Sequence, residues 1–451
     1  MHPITDPAIL EAYLTDASNT RGHADALLRP SSTAEVVEIV RHCQAHAIPL
    51  TVTARRTSTT AAPIPESGWL LSTEKLCTVH DLDDADAGVL LGEYQTQVEA
   101  AGRFFPPDPT SRHECSLGGA VACNASGART YMYGPTRPWI RAVEVVLPDG
   151  TLVRADRDTP SPWPIPRWEE PKVKTAAGYS PVNNLLDLLI GAEGTLGVVT
   201  RVWTNLLPLP KDVLAFLAFF PARASMLGFL ADCRAGRGDP HATLNPRCIE
   251  YYDARALDLV RDRVPVPIAN CALSIEVEHE GEAPLEAWFD ALVRHGALVD
   301  DTVVAEDDAG RARLHAVRHA LPAQVNEIIA RRGVRKVGTD FAVPDAALPE
   351  MLDLYDDAGM QAVCFGHLGD NHLHLNFLPA SQEQWVEAKG RYMAMARRAV
   401  ALGGTVSAEH GIGRLKREHL AMMVGAGQIE AWRALRRAAD PAGIFGRGVM
   451  T

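Results

Sequence analysis

The chain has 451 residues, 47% hydrophobic and 22% charged, the balance of a soluble globular protein large enough for two or more domains. Its 44 Lys and Arg face 56 Asp and Glu, a formal charge of −12 with no long basic run, which argues against a phosphate-neutralising nucleic-acid surface. No stretch reaches the roughly 18 unbroken apolar residues of a membrane span, and MHPITDPAILEAYL lacks the basic-then-apolar layout of a signal peptide. A cytoplasmic location is expected, with peripheral membrane attachment left open.

In chain order, RPSSTAEVVEIVRHCQAHAIPLTVT (Arg29–Thr53) opens with a helix start. Ser32 or Thr33 can cap, Val36, Val37, Ile39 and Val40 recur at helical spacing, and the β-branched IPLTVT reads as a strand. Next comes PPDPTSRHECSLGGAVACNASGARTYMYGPTR (Pro106–Arg137), dense in proline and glycine. Such a loop can turn successive N–H groups toward an anion, with Thr110, Asn124 and Ser126 adding hydrogen bonds, although composition alone favours a plain surface connection. AVEVVLPDGTLVRA (Ala142–Ala155) reads as two strands around a Pro-Asp-Gly turn. LLDLLIGAEGTLGVVT then runs from an apolar helix through a second glycine turn, GAEGTLG (Gly191–Gly197), into a strand. The part ending at residue 209 is expected to be one mixed α/β domain.

After Pro208–Pro210 the texture changes. Strand-like runs such as VLAFLAFF and CALSIEVE alternate with longer helical stretches, which suits an antiparallel sheet with helices on one face. This pattern extends to about residue 400, and helical segments with glycine loops close the chain. No GxGxxG follows a strand and no GxxxxGK[ST] occurs, so neither a Rossmann site nor a P-loop is supported. The eight cysteines form no CxxC, which speaks against a zinc ribbon or a cysteine-ligated iron–sulfur cluster and for buried thiols.

GHLGDNHLHLNFLP (Gly366–Pro379) holds three histidines in eight residues. If Gly369–His372 is a four-residue turn, Leu368 pairs with Leu373 and His367 faces His374, with Cβ atoms about 5 Å apart. That would suit two imidazoles on one metal ion and leave His372 exposed in the turn. GGTVSAEHGIGRLKRE offers Glu409 as a carboxylate ligand beside His410. Spacing alone also allows purely structural histidines.

PPDPTS, LGGAVACNASGARTYMYGPTR and GAEGTLGVVT resemble the FAD-linked oxidases of the vanillyl-alcohol-oxidase type, in the branch of D-lactate, glycolate and D-2-hydroxyglutarate dehydrogenases. The resemblance runs from about Arg29 to the terminal DPAGIFGRG. It implies an α+β protein with a two-subdomain FAD-binding domain (1–209), an antiparallel-sheet substrate or cap domain (210–400), and a helical segment returning to the first domain (401–451). By the same resemblance Pro107, Asp108, Thr110, Gly118, Gly119, Asn124, Ser126, Gly127, Tyr133 and Gly134 line the FAD. So do Glu193, Gly194, Thr195, Gly197 and Val198.

One departure stands out. Many relatives carry a glycine-rich pyrophosphate loop after the first strand, where this chain has TARRTSTTAAPIP (Thr53–Pro65), without glycine. Backbone N–H groups, the hydroxyls of Thr57, Ser58 and Thr59, and the charge of Arg55 or Arg56 can still meet a phosphate. Any positive-φ residue there would be strained, and weaker FAD binding is expected.

The GHxGDxxxHxN and EHGIG motifs imply that His367, His374 and Glu409 hold a divalent cation, commonly zinc, although Ala408 replaces a frequent glycine. They make His410 the general base and Asn376 a hydrogen-bond partner of the substrate or of His410. ARLHAVRHALPAQ resembles the helix whose arginine binds the substrate carboxylate, here Arg318, and Lys336 is a further candidate. The implied reaction is FAD-dependent oxidation of a D-2-hydroxy acid (D-lactate-like, glycolate or D-2-hydroxyglutarate) to the 2-oxo acid. Hydride passes to flavin, and electrons pass to an external quinone, cytochrome or electron-transfer flavoprotein. Alternatives are a flavin-dependent transferase resembling alkylglycerone-phosphate synthase, a zinc hydrolase, and a non-catalytic relative with impaired FAD binding.

Overall fold

Helix Thr33–Ala45 begins where its sequence supplies a cap: Ser32 Oγ accepts from Glu35 N at 3.3 Å. Its buried face, Val36, Ile39, Val40 and Cys43, packs on Leu28, Leu50 and Leu71 of a parallel sheet in which Trp69–Ser72 lies between Ala26–Leu28 and Leu50–Thr53. Ile444 and Phe445 from the end of the chain fill the same core. Each such aliphatic side chain contributes about 1.5–3 kcal/mol by leaving water. The computed structural model describes residues 2–239, 241–358 and 361–451. It divides into two units: the first comprises Met1–Ser126, Gly134–Leu209 and Thr405–Thr451, the second Gly127–Tyr133 and Pro210–Gly404.

The first unit also contains a five-stranded antiparallel sheet, in the order Val79–Asp81, Asp84–Asp86, Val198–Thr204, Ile140–Val146 and Leu152–Asp156. Residues 147–151, around the Pro-Asp-Gly, join the last two strands, with Val146 opposite Leu152. Val198–Thr204 alternates buried and half-buried positions, as a strand with one core face must.

The second unit is built on an antiparallel sheet. Its path runs Val303–Ala305, Asp212–Phe220, Cys271–His279, Cys248–Asp253, Ala362–His367, His372–Phe377 and Val337–Gly338, and Phe341–Ala342 also pairs with His372–Phe377. Helix Asp308–Arg332, capped by Asp307 and closed by Gly333, packs Leu314, Val317 and Leu321 with Ala215, Leu217, Tyr252 and Phe365. Helices on one face only were expected, and here the sequence reading is corrected. Phe216 and Phe220 point the other way, onto Trp288 of helix Leu285–Arg294 and Phe229 of helix Arg223–Ala235. Helices therefore cover both faces, and the unbroken VLAFLAFF run reflects burial on both.

All eight cysteines are thiols. Among the described residues no helix is long and apolar enough to cross a membrane.

Candidate active site

In the first unit the two glycine loops meet at one helix end. Ser116 caps helix Leu117–Cys123, placing Gly118 and Gly119 in its first turn, and Asn124 closes it in the left-handed region at φ 47°. The last carbonyls of such a helix lack internal partners. Here Gly191 N and Glu193 N from the second loop donate to Val121 O (3.0 Å) and Ala122 O (2.9 Å). Asn124 Oδ1 accepts from Arg137 N at 2.9 Å. Farther along, Thr195 Oγ1 bonds Ala192 O and Tyr179 OH, both at 2.6 Å, and Val198 starts a strand below Gly197.

Pro107 is buried, its carbonyl accepting from Gln95 Nε2 at 2.7 Å, whereas Asp108 is half-buried and Thr110 exposed. The chain leaves this unit after Ser126 and returns at Gly134. Within the second unit Gly127 N donates to Thr130 Oγ1, and the Tyr133 hydroxyl donates to Glu278.

The glycine-free loop adopts the strained geometry its sequence implies. Arg56 and Ala61 have φ of 57° and 60°, each costing about 1–2 kcal/mol relative to a glycine. The Arg56 guanidinium lies 4.3 Å from the centre of the Tyr13 ring, Thr57 is half-buried, and Ser58 Oγ bonds Thr60 Oγ1. Thr60 O accepts from Arg414 N at 2.9 Å, and this approach requires Gly413, whose Cβ would lie 2.1 Å from that oxygen. The loop is thus braced by the segment after His410.

The donor set fits FAD. Ser126 Oγ, Thr53 Oγ1 and Arg55 Nε are buried without a hydrogen-bond partner among the described residues, in two of the loops expected to meet the flavin. Buried polar atoms are seldom left so. A cleft of about 240 Å³ lies in the same unit, lined by Asn124 and Gly191 of the two loops and by Arg137, Glu170, Lys174 and Gly178. Arg137 is held by Asp187 Oδ1 (3.1 Å) and Ile190 O (2.7 Å). Burial pushes the Glu170 carboxyl up, against the pull of Arg137.

Lys174 Nζ lies 3.1 Å from Glu409 Oε2, and Glu409 Oε1 lies 3.5 Å from His410 Nε2. Glu193 is buried at φ 51° and accepts from Ile412 N (2.8 Å) and Gly413 N (2.7 Å). It therefore grips the loop that carries Glu409 and His410. Burial raises its carboxyl to about 7 despite those bonds.

In the second unit the hairpin register differs from the expected one. His367 pairs with His372, Gly366 with Leu373 and Phe365 with His374. The turn is Leu368–Asn371, with Asn371 left-handed at φ 53°. Asn371 is fixed by donating to Asp345 Oδ1 (2.7 Å) and accepting from Arg234. Sliding the turn by one residue changes each pairing by two, so every side chain keeps its face. His367, His372 and His374 consequently share one face, with ring centroids 4.5–5.7 Å apart. His372 is not an exposed turn residue; it is fully buried in a strand, its Nε2 2.9 Å from Asp340 Oδ1.

His367 Nδ1 meets Glu250 Oε1 at 2.5 Å and His374 Nδ1 meets Thr339 O at 3.1 Å. Pinning Nδ1 of each ring orients Nε2 for a metal, the usual outer-shell arrangement of histidine ligands. Gly366 (φ 139°) makes room, since a Cβ there would lie 3.0 Å from His374 Cδ2. The donor set thus fits a divalent cation; Glu409 belongs to the other unit.

Arg318 donates Nε to Glu250 and lies over the Phe365 ring at 5.1 Å. Asn376 donates to His374 O at 3.1 Å, and its Oδ1 and Lys336 Cε flank Gly338. Lys336 is exposed beside the edge strand Val337–Gly338. Sequence reasoning missed Glu250, Asp340 and Lys174. A carboxylate inside the buried strand CIEYYD and a lysine opening the small-residue run KTAAG were the available signals.

A flavin-type loop pair and a histidine cluster backed by carboxylates define a flavin oxidoreductase. Residues 24–156 match the FAD binding domain model, and residues 210–450 match that of the C-terminal domain of FAD linked oxidases. The chain belongs to the FAD-linked oxidase family. It is 27% identical to glycolate oxidase subunit GlcD of Bacillus subtilis over 94% of this chain and 88% of that protein. It is 28% identical to the D-lactate dehydrogenase of Anaerostipes hadrus (95% and 90% covered). It is 30% identical to the mitochondrial D-2-hydroxyglutarate dehydrogenase of Bos taurus (98% and 80%). Among solved structures, alkyldihydroxyacetonephosphate synthase superposes with a TM-score of 0.70 at 17% identity, covering 98% of this chain and 81% of that one. That likeness shows the fold alone.

Proposed function

We propose that the protein oxidises a D-2-hydroxy acid (D-lactate-like, glycolate or D-2-hydroxyglutarate) to the 2-oxo acid and passes the electrons to an external quinone, cytochrome or electron-transfer flavoprotein. The observation that carries this is the pair of imidazoles, His367 and His374, each fixed through Nδ1, in a chain whose relatives are named glycolate oxidase subunit, D-lactate dehydrogenase and D-2-hydroxyglutarate dehydrogenase. FAD, held by the loops of Asn124, Ser126 and Gly191 and by the Thr53–Thr60 segment, supplies the two-electron acceptor. His367 and His374, with Glu409 as the carboxylate that the family motif implies, would hold a divalent cation, zinc in this reading, which would supply Lewis acidity toward the hydroxyl.

The chain's own residues do the rest. Neutral His410 accepts the hydroxyl proton at Nε2, and the neighbouring Glu409 stabilises the imidazolium so formed. Glu193 keeps that loop in place through Ile412 N and Gly413 N. Arg318 offers a planar donor pair to the substrate carboxylate, with Glu250 fixing the orientation of its guanidinium. Asn376 and Lys336, adjacent across Gly338, add a hydrogen bond and a positive charge for the substrate's polar groups.

The test is an anaerobic visible spectrum of the FAD-loaded protein with D-lactate, glycolate or D-2-hydroxyglutarate. Bleaching by one of them and not by its L-enantiomer, where one exists, is expected. A flavin that stays oxidised with all three would overturn the substrate class.

A further inference from the structure

We infer that Lys174 is the fixed positive charge which the flavin cleft presents to the ring system of bound FAD, setting its electron affinity. This rests on reading the cleft as the flavin site. Lys174 lines the cleft together with Asn124 and Gly191, one from each flavin loop. Its side chain is only 2% exposed. An ammonium so deeply buried is costly unless paired, and Glu409 at 3.1 Å supplies the partner.

Its position is rigid. Thr175 Oγ1 bonds Thr405 Oγ1 at 2.9 Å, and Ala176 N donates to Ser407 O at 2.9 Å, so the residues after Lys174 are tied to the C-terminal segment. The other cation of the cleft, Arg137, is likewise paired, by Asp187 Oδ1 and Ile190 O. Lys174 therefore stands in place before any chemistry begins, and a fixed charge stabilises developing opposite charge without reorganisation.

The consequence is specific to electron-pair acceptance. When sulfite adds to a flavin, its electron pair forms the S–N5 bond and a ring π pair moves to N1 and the C2 carbonyl, leaving negative charge there with no leaving group. A nearby ammonium favours this adduct, as it favours two-electron reduction. A lysine that merely holds Glu409 would leave sulfite affinity unchanged.

The experiment uses the FAD-loaded full chain, its Lys174→Met and Lys174→Arg variants, and sulfite titration followed by flavin absorbance. The sulfite Kd is expected to rise at least tenfold in K174M, equivalent to about 30 mV for a two-electron couple, and to stay within about threefold in K174R. Lys174→Gln, which keeps a hydrogen bond to Glu409 without the charge, is read in parallel and decides the matter if K174M does not retain FAD. Wild-type sulfite affinity in the uncharged variants overturns the inference while leaving the flavin reading intact. A wild-type chain that takes up no FAD defeats the flavin reading instead.

Discussion

Glu250 Oε1 lies 2.5 Å from His367 Nδ1, and the second oxygen of the same buried carboxylate accepts from Arg318. One acid thus orients a metal-ligand candidate and a substrate-binding candidate together. Burial opposes its ionisation, but His367 and Arg318, both bonded to it, outweigh burial and hold it at about 2. Because its folded pKa lies below the ordinary 4.5, it stabilises the fold above about pH 4.5, and that contribution is lost as the pH falls toward 2. Glu250→Gln should weaken metal binding about 10–100-fold and cost roughly 3 kcal/mol of stability by removing the buried negative charge that Arg318 Nε donates to. Chelator competition and urea unfolding measure the two effects, and an unchanged metal affinity would remove Glu250 from the metal's outer shell.

Gly366→Ala probes the histidine face from the other side. Its methyl would press on His374 Cδ2 at 3.0 Å, from a residue held at φ 139°. The backbone conformation alone should cost about 1–3 kcal/mol, and displacement of the ring should lower metal occupancy. Metal content per folded protein is the readout, together with the melting temperature.

Glu193 gives the first unit a pH signature. Its folded carboxyl, raised by burial to about 7, sits above the ordinary 4.5. The stability linked to that shift is therefore present below about pH 4.5 and lost as the pH rises through 7, up to about 3 kcal/mol. Lys416, Cys123 and Tyr179 are the titratable neighbours. Glu193→Gln should flatten the fall in melting temperature between pH 5 and pH 8. Equal slopes in the two proteins would mean that the carboxyl does not titrate in that range.

Removal of the divalent cation separates the two halves of the proposed chemistry. Dialysis against a chelator should abolish bleaching by the hydroxy acid, whereas the flavin spectrum and sulfite reactivity persist. Restoration by zinc supports the metal assignment; full activity after verified metal removal refutes it.

Local pattern carried the sequence reading a long way. The cap of Ser32, the strand pair around Pro148-Asp149-Gly150 and the glycine loops are written in neighbouring residues, because they are made by neighbouring residues. The sharing of one face by His367 and His374 was also readable, since strand parity survives an even shift of register. The register itself was not. It depends on Asn371 finding Asp345 and Arg234, which lie 26 and 137 residues away along the chain. Nor could sequence reveal the pairing of Glu250 with His367, 117 residues apart, or of Lys174 with Glu409, 235 residues apart. Side-chain type and spacing determined which chemistry the chain can hold. Which acid faces which base was decided only when the sheet and the returning C-terminal segment brought distant strands and loops into contact, because those choices are made by packing and leave no periodic trace in the sequence.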